Sequence, residues 1–209
     1  MRGIPTMHNG IKYRSLLEAK WASFFTRIGW QFEYEPFEGN GYIPDFVIYG
    51  ETPFAIEVKP AVSWKELQSH QEKTRAGLQD IWDHDILIVG ASPVEFRSLA
   101  GESAIGLLGE TNDFAAGLWS SCPQCGRWAI THDYQSYHRR PCSHYDGSQW
   151  TISESEREIL ARHWKRACNE VQWRGEATQA RPTARSQREA LQAAGLTSEQ
   201  LQAAKQLFT

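Results

Sequence analysis

The chain has 209 residues, 41% of them hydrophobic and nine of them Trp, enough to bury a core in one domain of about 120 residues with a smaller module beside it. A formal net charge of −3 suits poorly a protein whose only task is to coat DNA, and no apolar run reaches the roughly 18 residues of a membrane-spanning helix. The opening stretch, MRGIPTMHNG, holds no apolar signal core, so the expectation is a soluble, cytoplasmic protein.

Charge is uneven along the chain. Residues 1–120 carry 10 basic and 16 acidic side chains, and residues 121–209 carry 12 basic and 9 acidic. An acidic half suited to cations, joined to a basic half suited to phosphate, points to nucleic acid as partner.

Residues 1–12 read as an irregular lead-in. The stretch 15–28, SLLEAKWASFFTRI, places apolar residues at 17, 21, 24, 25 and 28, one helical stripe that Gly29 ends. Ser15 and Glu18 have capping-box spacing. Glu18 also falls beside Phe25 at the border of the buried stripe. Two roles are open to it: capping the Ser15 N–H, or reaching an ion held by a packed sheet. Gln31 to Glu35 reads as an edge strand ended by Pro36, and Gly39-Asn40-Gly41 as a turn.

Next comes YIPDFVIYGETPFAIEVKP, residues 42–60, two short apolar strands joined by a turn. The first is broken only by Asp45. In the second, Phe54, Ile56 and Val58 fall on one face, and Ala55, Glu57 and Lys59 on the other. An odd-length turn or a β-bulge sets Asp45 opposite position 57 or 59; an even-length turn sends it to the far face. Two carboxylates and an amine at one strand end call for a neutralising cation, and Mg²⁺ accepts one or two carboxylates, several waters and phosphate oxygens.

Beyond Pro60, Ser63 and Glu66 repeat the capping-box spacing and predict a helix to about Leu78, with Gln68, Gln71, Lys73 and Arg75 on its polar face. Asp85 to Val89 suits a buried strand parallel to an earlier one. Ala104–Leu108 and Phe114–Trp119 read as two further short strands.

Cys122 and Cys125 form a CxxC corner, with Gly126 permitting a tight knuckle; Cys142 and His144 follow. Four such ligands make a closed tetrahedral Zn²⁺ site, with His138 and His132 as alternatives to His144. Between the corners, RWAIT and SYHRR predict a hairpin. Its Arg127, His138, Arg139 and Arg140 form a basic patch interleaved with Trp128, Tyr134 and Tyr137, suited to nucleic-acid contact. Ser153 and Glu156 cap a basic helix to about Cys168. Residues 174–186 read as a linker, and 187–209 as a helical hairpin that docks on the body, on a second copy or on a protein partner.

Pro44-Asp45, eleven residues between Asp45 and Glu57, and Glu57-Val58-Lys59 resemble the motif of the PD-(D/E)XK nuclease superfamily. YRSLLEAKWASFF, followed by EYEP and IPDF, resembles a group of bacterial and phage members that read roughly FRSxLEAxWAxFF; the likeness spans residues 13–60. It implies an α/β, restriction-endonuclease-like mixed sheet flanked by helices over residues 1–120. A zinc-ribbon-like module over 121–150 and a basic helix over 151–173 would follow. It also implies a Mg²⁺- or Mn²⁺-dependent nuclease acting on DNA, expected to be an endonuclease. Glu18, Asp45 and Glu57 would hold the metal, Lys59 would orient water, and Gln71 would contact the phosphate or water. Two other readings are a non-cleaving, zinc-dependent nucleic-acid-binding adaptor and a partner-dependent nuclease subunit of a transposition, defence or phage complex.

Overall fold

The computed structural model describes residues 3–39, 41–50, 52–110, 113–122, 124–132, 138–139 and 151–172. The chain divides between Gln172 and Trp173. The linker and helical hairpin expected over 174–209 lie beyond that division, outside the described residues.

The lead-in is ordered, contrary to expectation. β1 (Thr6–His8) and β2 (Ile11–Tyr13) form a two-stranded hairpin in which Thr6 pairs with Tyr13 and His8 with Ile11. Asn9 and Gly10 turn it, both at positive φ (47° and 80°), where these two residue types are the most tolerant. The Asn-Gly pair was the signal in the sequence.

α1 (Leu16–Ile28) has the predicted ends. The Ser15 hydroxyl accepts the Glu18 N–H, and Gly29 at φ 77° closes the helix by returning its N–H to Phe25 and Thr26. β3 (Gln31–Tyr34) follows and forms one edge of a nine-stranded mixed sheet. β4 (Phe46–Tyr49) is shorter than the apolar run from Tyr42 predicted, and β5 (Phe54–Val58) runs antiparallel to it. β6 (Asp85–Val89) lies parallel to β5, as its continuous apolar run led us to expect.

The helix predicted from Ser63 to Leu78 is two helices, α2 (Trp64–Gln68) and α3 (Gln71–Leu78). Ser69 breaks it: its hydroxyl donates to the Glu66 carbonyl at 2.6 Å, and the His70 N–H turns to Leu67 at 3.0 Å. β7 (Phe96–Arg97) was not foreseen, whereas β8 (Ser103–Glu110) and β9 (Asp113–Ser121) are longer versions of the expected strands. β10 (Trp128–His132) and β11 (His138–Arg139) form the predicted hairpin, and β10 pairs with β9, so the hairpin extends the central sheet. α4 (Glu154–Glu170) begins with the capping box read at Ser153 and Glu156.

The sheet has helices on both faces. α1 and α4 cover one, burying Phe46, Ile48, Phe54, Ile56 and Val58 with Trp21, Phe24, Phe25 and Trp119. α2 and α3 cover the other through Leu67 and Leu78, above Val47, Ala55, Ile86 and Ile88. Among the described residues, the buried indoles find backbone acceptors: Trp21 donates to Gly90, Trp30 to Trp128 and Trp119 to Pro93. Large aromatic surfaces are thereby buried without orphaned N–H groups. Among the described residues, no helix is long and apolar enough to cross a membrane.

Trp21 is wholly buried and touches Phe24, Phe25 and Trp164, whereas Leu99 is fully exposed. Urea unfolding is therefore expected to show Trp21→Ala destabilised by about 3–5 kcal/mol, with Leu99→Ala within about 0.5 kcal/mol of the parent.

Candidate active site

Register brings the first two acids together. Ile48 pairs with Phe54 and Phe46 with Ile56, leaving five residues to turn the chain. The odd count places Asp45, one residue before β4, opposite Glu57. Alternation puts Glu57 on the face of Ala55, beneath α2 and α3. Both acids are buried. Asp45 Oδ2 accepts the Val58 N–H at 2.7 Å, and Oδ1 accepts the Arg14 guanidinium at 2.7 Å. Lys59 Nζ donates to Glu57 Oε1. Glu57 Oε2 is buried with no aligned hydrogen-bond partner, although the Tyr42 hydroxyl stands close enough for Glu57 to raise its pKa further than burial alone.

Glu18 belongs to the opposite helical layer. Its carboxylate accepts the Ser15 hydroxyl at 2.7 Å, the Tyr34 hydroxyl at 2.7 Å and the Arg14 N–H at 3.1 Å. The cap thus falls on Arg14, one residue earlier than the Ser15 N–H that the spacing predicted. Glu18 is nevertheless a neighbour of Asp45, since its charge helps to raise that group's pKa. Gln71 opens α3, half-buried, one turn before Thr74.

Burial, then Glu57, then Glu18 push the Asp45 carboxyl up to about 8, against the Val58 N–H and Lys59. The ion pair with Arg14 also opposes protonation. Burial alone would lower the Arg14 pKa, but Asp45 and Glu35 more than reverse this. The Tyr34 hydroxyl is raised by burial and by its bond to Glu18, while His70 is lowered by burial and by nearby Lys59.

Several of these neighbours have no role assigned from the sequence. Arg14, Tyr34 and Glu35 sit in the segments YRS and EYEP, and Tyr42 opens YIPDF. Their signal was proximity: an Arg beside a helix cap, and acids and tyrosines bordering strands, have no partner visible in one dimension. Thr74 is buried on α3 and influences Tyr42, a neighbour set only by how that helix packs.

Among the described residues, no three His, Cys, Asp or Glu side chains gather into a ready-made cation cage. A hydrated Mg²⁺ asks less, one or two carboxylates and the rest waters or phosphate. Asp45 and the opposed Glu57, with one buried Glu57 oxygen lacking an aligned hydrogen-bond partner, are the carboxylates that such an ion would draw on.

The CxxC corner has the backbone of a knuckle. The Gly126 N–H bonds the Cys122 carbonyl at 2.7 Å, the Cys122 N–H bonds the Arg127 carbonyl at 2.8 Å, and Gly126 lies at φ 68°. Cys122 is buried, Cys125 exposed and Arg127 exposed. His132, an alternative ligand, is buried on β10. Arg140, Cys142 and His144 lie outside the described residues, as do the side chains of His138 and Arg139.

A raised carboxyl pKa has a definite sign. Between the ordinary value of 3.8 and about 8, the folded protein keeps a proton on Asp45 that the unfolded chain has lost, so stability falls as pH rises across that window. Chemical denaturation of the parent and of Asp45→Asn from pH 5 to 8 isolates this contribution from that of the histidines, whose lowered pKa values act with the opposite sign. The parent should lose stability relative to Asp45→Asn as pH rises, by up to about 1 kcal/mol per pH unit.

Set beside known proteins, the chain matches no protein-family model, no curated protein and no solved structure, so the reading of this site rests on its own residues.

Proposed function

We propose that the chain is a Mg²⁺-dependent nuclease of the PD-(D/E)XK type that hydrolyses DNA phosphodiester bonds, acting as an endonuclease. The observation that carries this reading is the odd-length turn that sets Asp45 opposite Glu57, with Lys59 bonded to Glu57. Asp45 and Glu57 would hold the cation, with Glu18 beside them. The cation would supply polarisation of the phosphate and stabilisation of the leaving oxygen. Lys59, on the same strand face as Glu57, would donate to the attacking water and orient it. Tyr42 and Thr74 would keep Glu57 in place from the α3 side, and burial would keep bulk water from competing for the carboxylates. Gln71, at the start of α3, would contact phosphate or water.

Plasmid DNA incubated with the protein and Mg²⁺ or Mn²⁺ should be nicked or cut, and Lys59→Ala should lower the rate by roughly 100-fold or more. Equal behaviour of parent and Lys59→Ala on supercoiled, linear and branched DNA would remove the reading.

A second reading, a nucleic-acid-binding adaptor that does not cleave, is favoured by one observation: Asp45 and Glu18 already have protein donors on both oxygens. In that case Arg127, His138, Arg139 and Arg140 on a zinc-held module would carry the function. Zinc is proposed on Cys122, Cys125, Cys142 and His144 in either reading. Elemental analysis should find about one zinc per chain in the parent and a loss of most of it in Cys122→Ser. DNA binding that persists without any cleavage would favour the adaptor.

A further inference from the structure

Arg14 occupies a position that the nuclease reading does not use. Its backbone is fixed: the N–H is shared between Glu18 Oε2 at 3.1 Å and the Tyr34 hydroxyl at 2.9 Å. Its guanidinium spans two acids, with Nη2 2.7 Å from Asp45 Oδ1 and Nε 2.5 Å from Glu35 Oε1. The Arg14 side chain is half-exposed, at 52%, whereas that of Asp45 is buried, at 6%. A fixed backbone thus delivers a solvent-facing fork to a buried carboxylate.

Asp45 Oδ2 already faces the Val58 N–H, so Oδ1 is the oxygen left for a cation, and Arg14 stands on it. A guanidinium and a divalent ion repel, and they compete for that oxygen. Glu35 offers the guanidinium a second hold that does not depend on Asp45. Glu35 itself is built into place at unusual backbone cost: φ is 48°, left-handed for a non-glycine residue, and its N–H bonds the Asp45 carbonyl at 3.1 Å. Strain retained beside a cluster of charges is a mark of functional geometry.

We propose that Arg14 is a phosphate-binding residue of this site. It competes with the divalent cation for Asp45 Oδ1 and, held by Glu35, turns its planar fork to a non-bridging oxygen of the phosphate when Oδ1 is taken. The inference rests on the nuclease reading and assigns the residue that recognises the substrate's charge. Arg suits the role because its five donors match phosphate in pairs and it stays protonated at any working pH.

The test compares the parent with Arg14→Ala and Arg14→Lys, each checked for folding by circular dichroism. Mn²⁺ affinity is measured by calorimetry without DNA, and affinity for a short duplex is measured in Ca²⁺ over a salt series. With its competitor removed, Arg14→Ala should bind Mn²⁺ roughly fivefold more tightly. The same variant should bind duplex about tenfold more weakly, with a salt dependence shallower by about one phosphate contact. Arg14→Lys should keep the salt dependence and lose part of the affinity, and it decides the outcome by itself if Arg14→Ala does not fold. Weaker Mn²⁺ binding in a folded variant would overturn the proposal and make Arg14 a strut for Asp45. Unchanged duplex binding would overturn it equally. A parent that binds neither Mn²⁺ nor DNA would bring down the nuclease reading and this inference together, whereas a parent that binds both, with unaltered variants, would remove Arg14 alone.

Discussion

Two buried carboxylates facing each other across a pair of strands must be supplied with positive charge or keep a proton. An ionised carboxylate taken out of water without a partner costs several kcal/mol, more than most single contacts in a domain contribute. Here Asp45 is met by the Val58 N–H and the Arg14 guanidinium, and Glu57 by Lys59. The remaining imbalance is visible in the raised pKa of Asp45 and the unbonded Oε2 of Glu57. That imbalance distinguishes this corner from the ion pairs of α4, where Arg97 and Arg157 meet a fully exposed Glu154 and solvent does most of the screening.

The aromatic core sets the positions of the groups that answer the two acids. The Tyr13 ring packs against Tyr34 at 4.6 Å in a tilted arrangement and lies near Phe46, so the residue before Arg14, the end of β3 and the start of β4 are tied at one point. Phe25 and Trp30 extend the same cluster beneath the sheet. Tyr34 then serves two purposes: its ring is core, and its hydroxyl links Arg14 to Glu18. Loss of its hydroxyl would leave those partners joined only by the direct 3.1 Å bond from the Arg14 N–H to Glu18 Oε2.

The region around the cysteines is bound into the same architecture. β10 pairs along β9 from Trp128 to His132, and Trp30 donates to the Trp128 carbonyl, so the knuckle at Cys122 hangs from the central sheet. α4 packs on α1 through Trp164 against Trp21 and Phe24, while Glu170 takes hydrogen bonds from Ser23 and Arg27. Residues expected as a separate basic helix thereby complete the layer that covers the sheet beneath the candidate site.

Periodicity and capping chemistry made much of the frame legible. The stripe of α1, its Ser15 and Gly29 ends, the parallel run of β6 and the capping box of α4 are local properties, fixed by spacing within a few residues. The alternation of β5 likewise separates Phe54, Ile56 and Val58 from Ala55 and Glu57 without reference to any fold. The Asn-Gly turn at 9–10 is equally local, yet its flanking strands are only three residues long and show little alternation to accompany it. The break at Ser69 depends on which carbonyl its hydroxyl chooses. Sequence leaves open the side on which Asp45 stands, because a single residue in a turn reverses a strand's faces. Tertiary structure decided that, along with the layer to which Glu18 belongs and the identity of Arg14 as the partner of Asp45. The last of these joins residues 31 apart in the chain, and only the closing of the sheet, which buries the acids and leaves them short of charge, selects among the cations within reach.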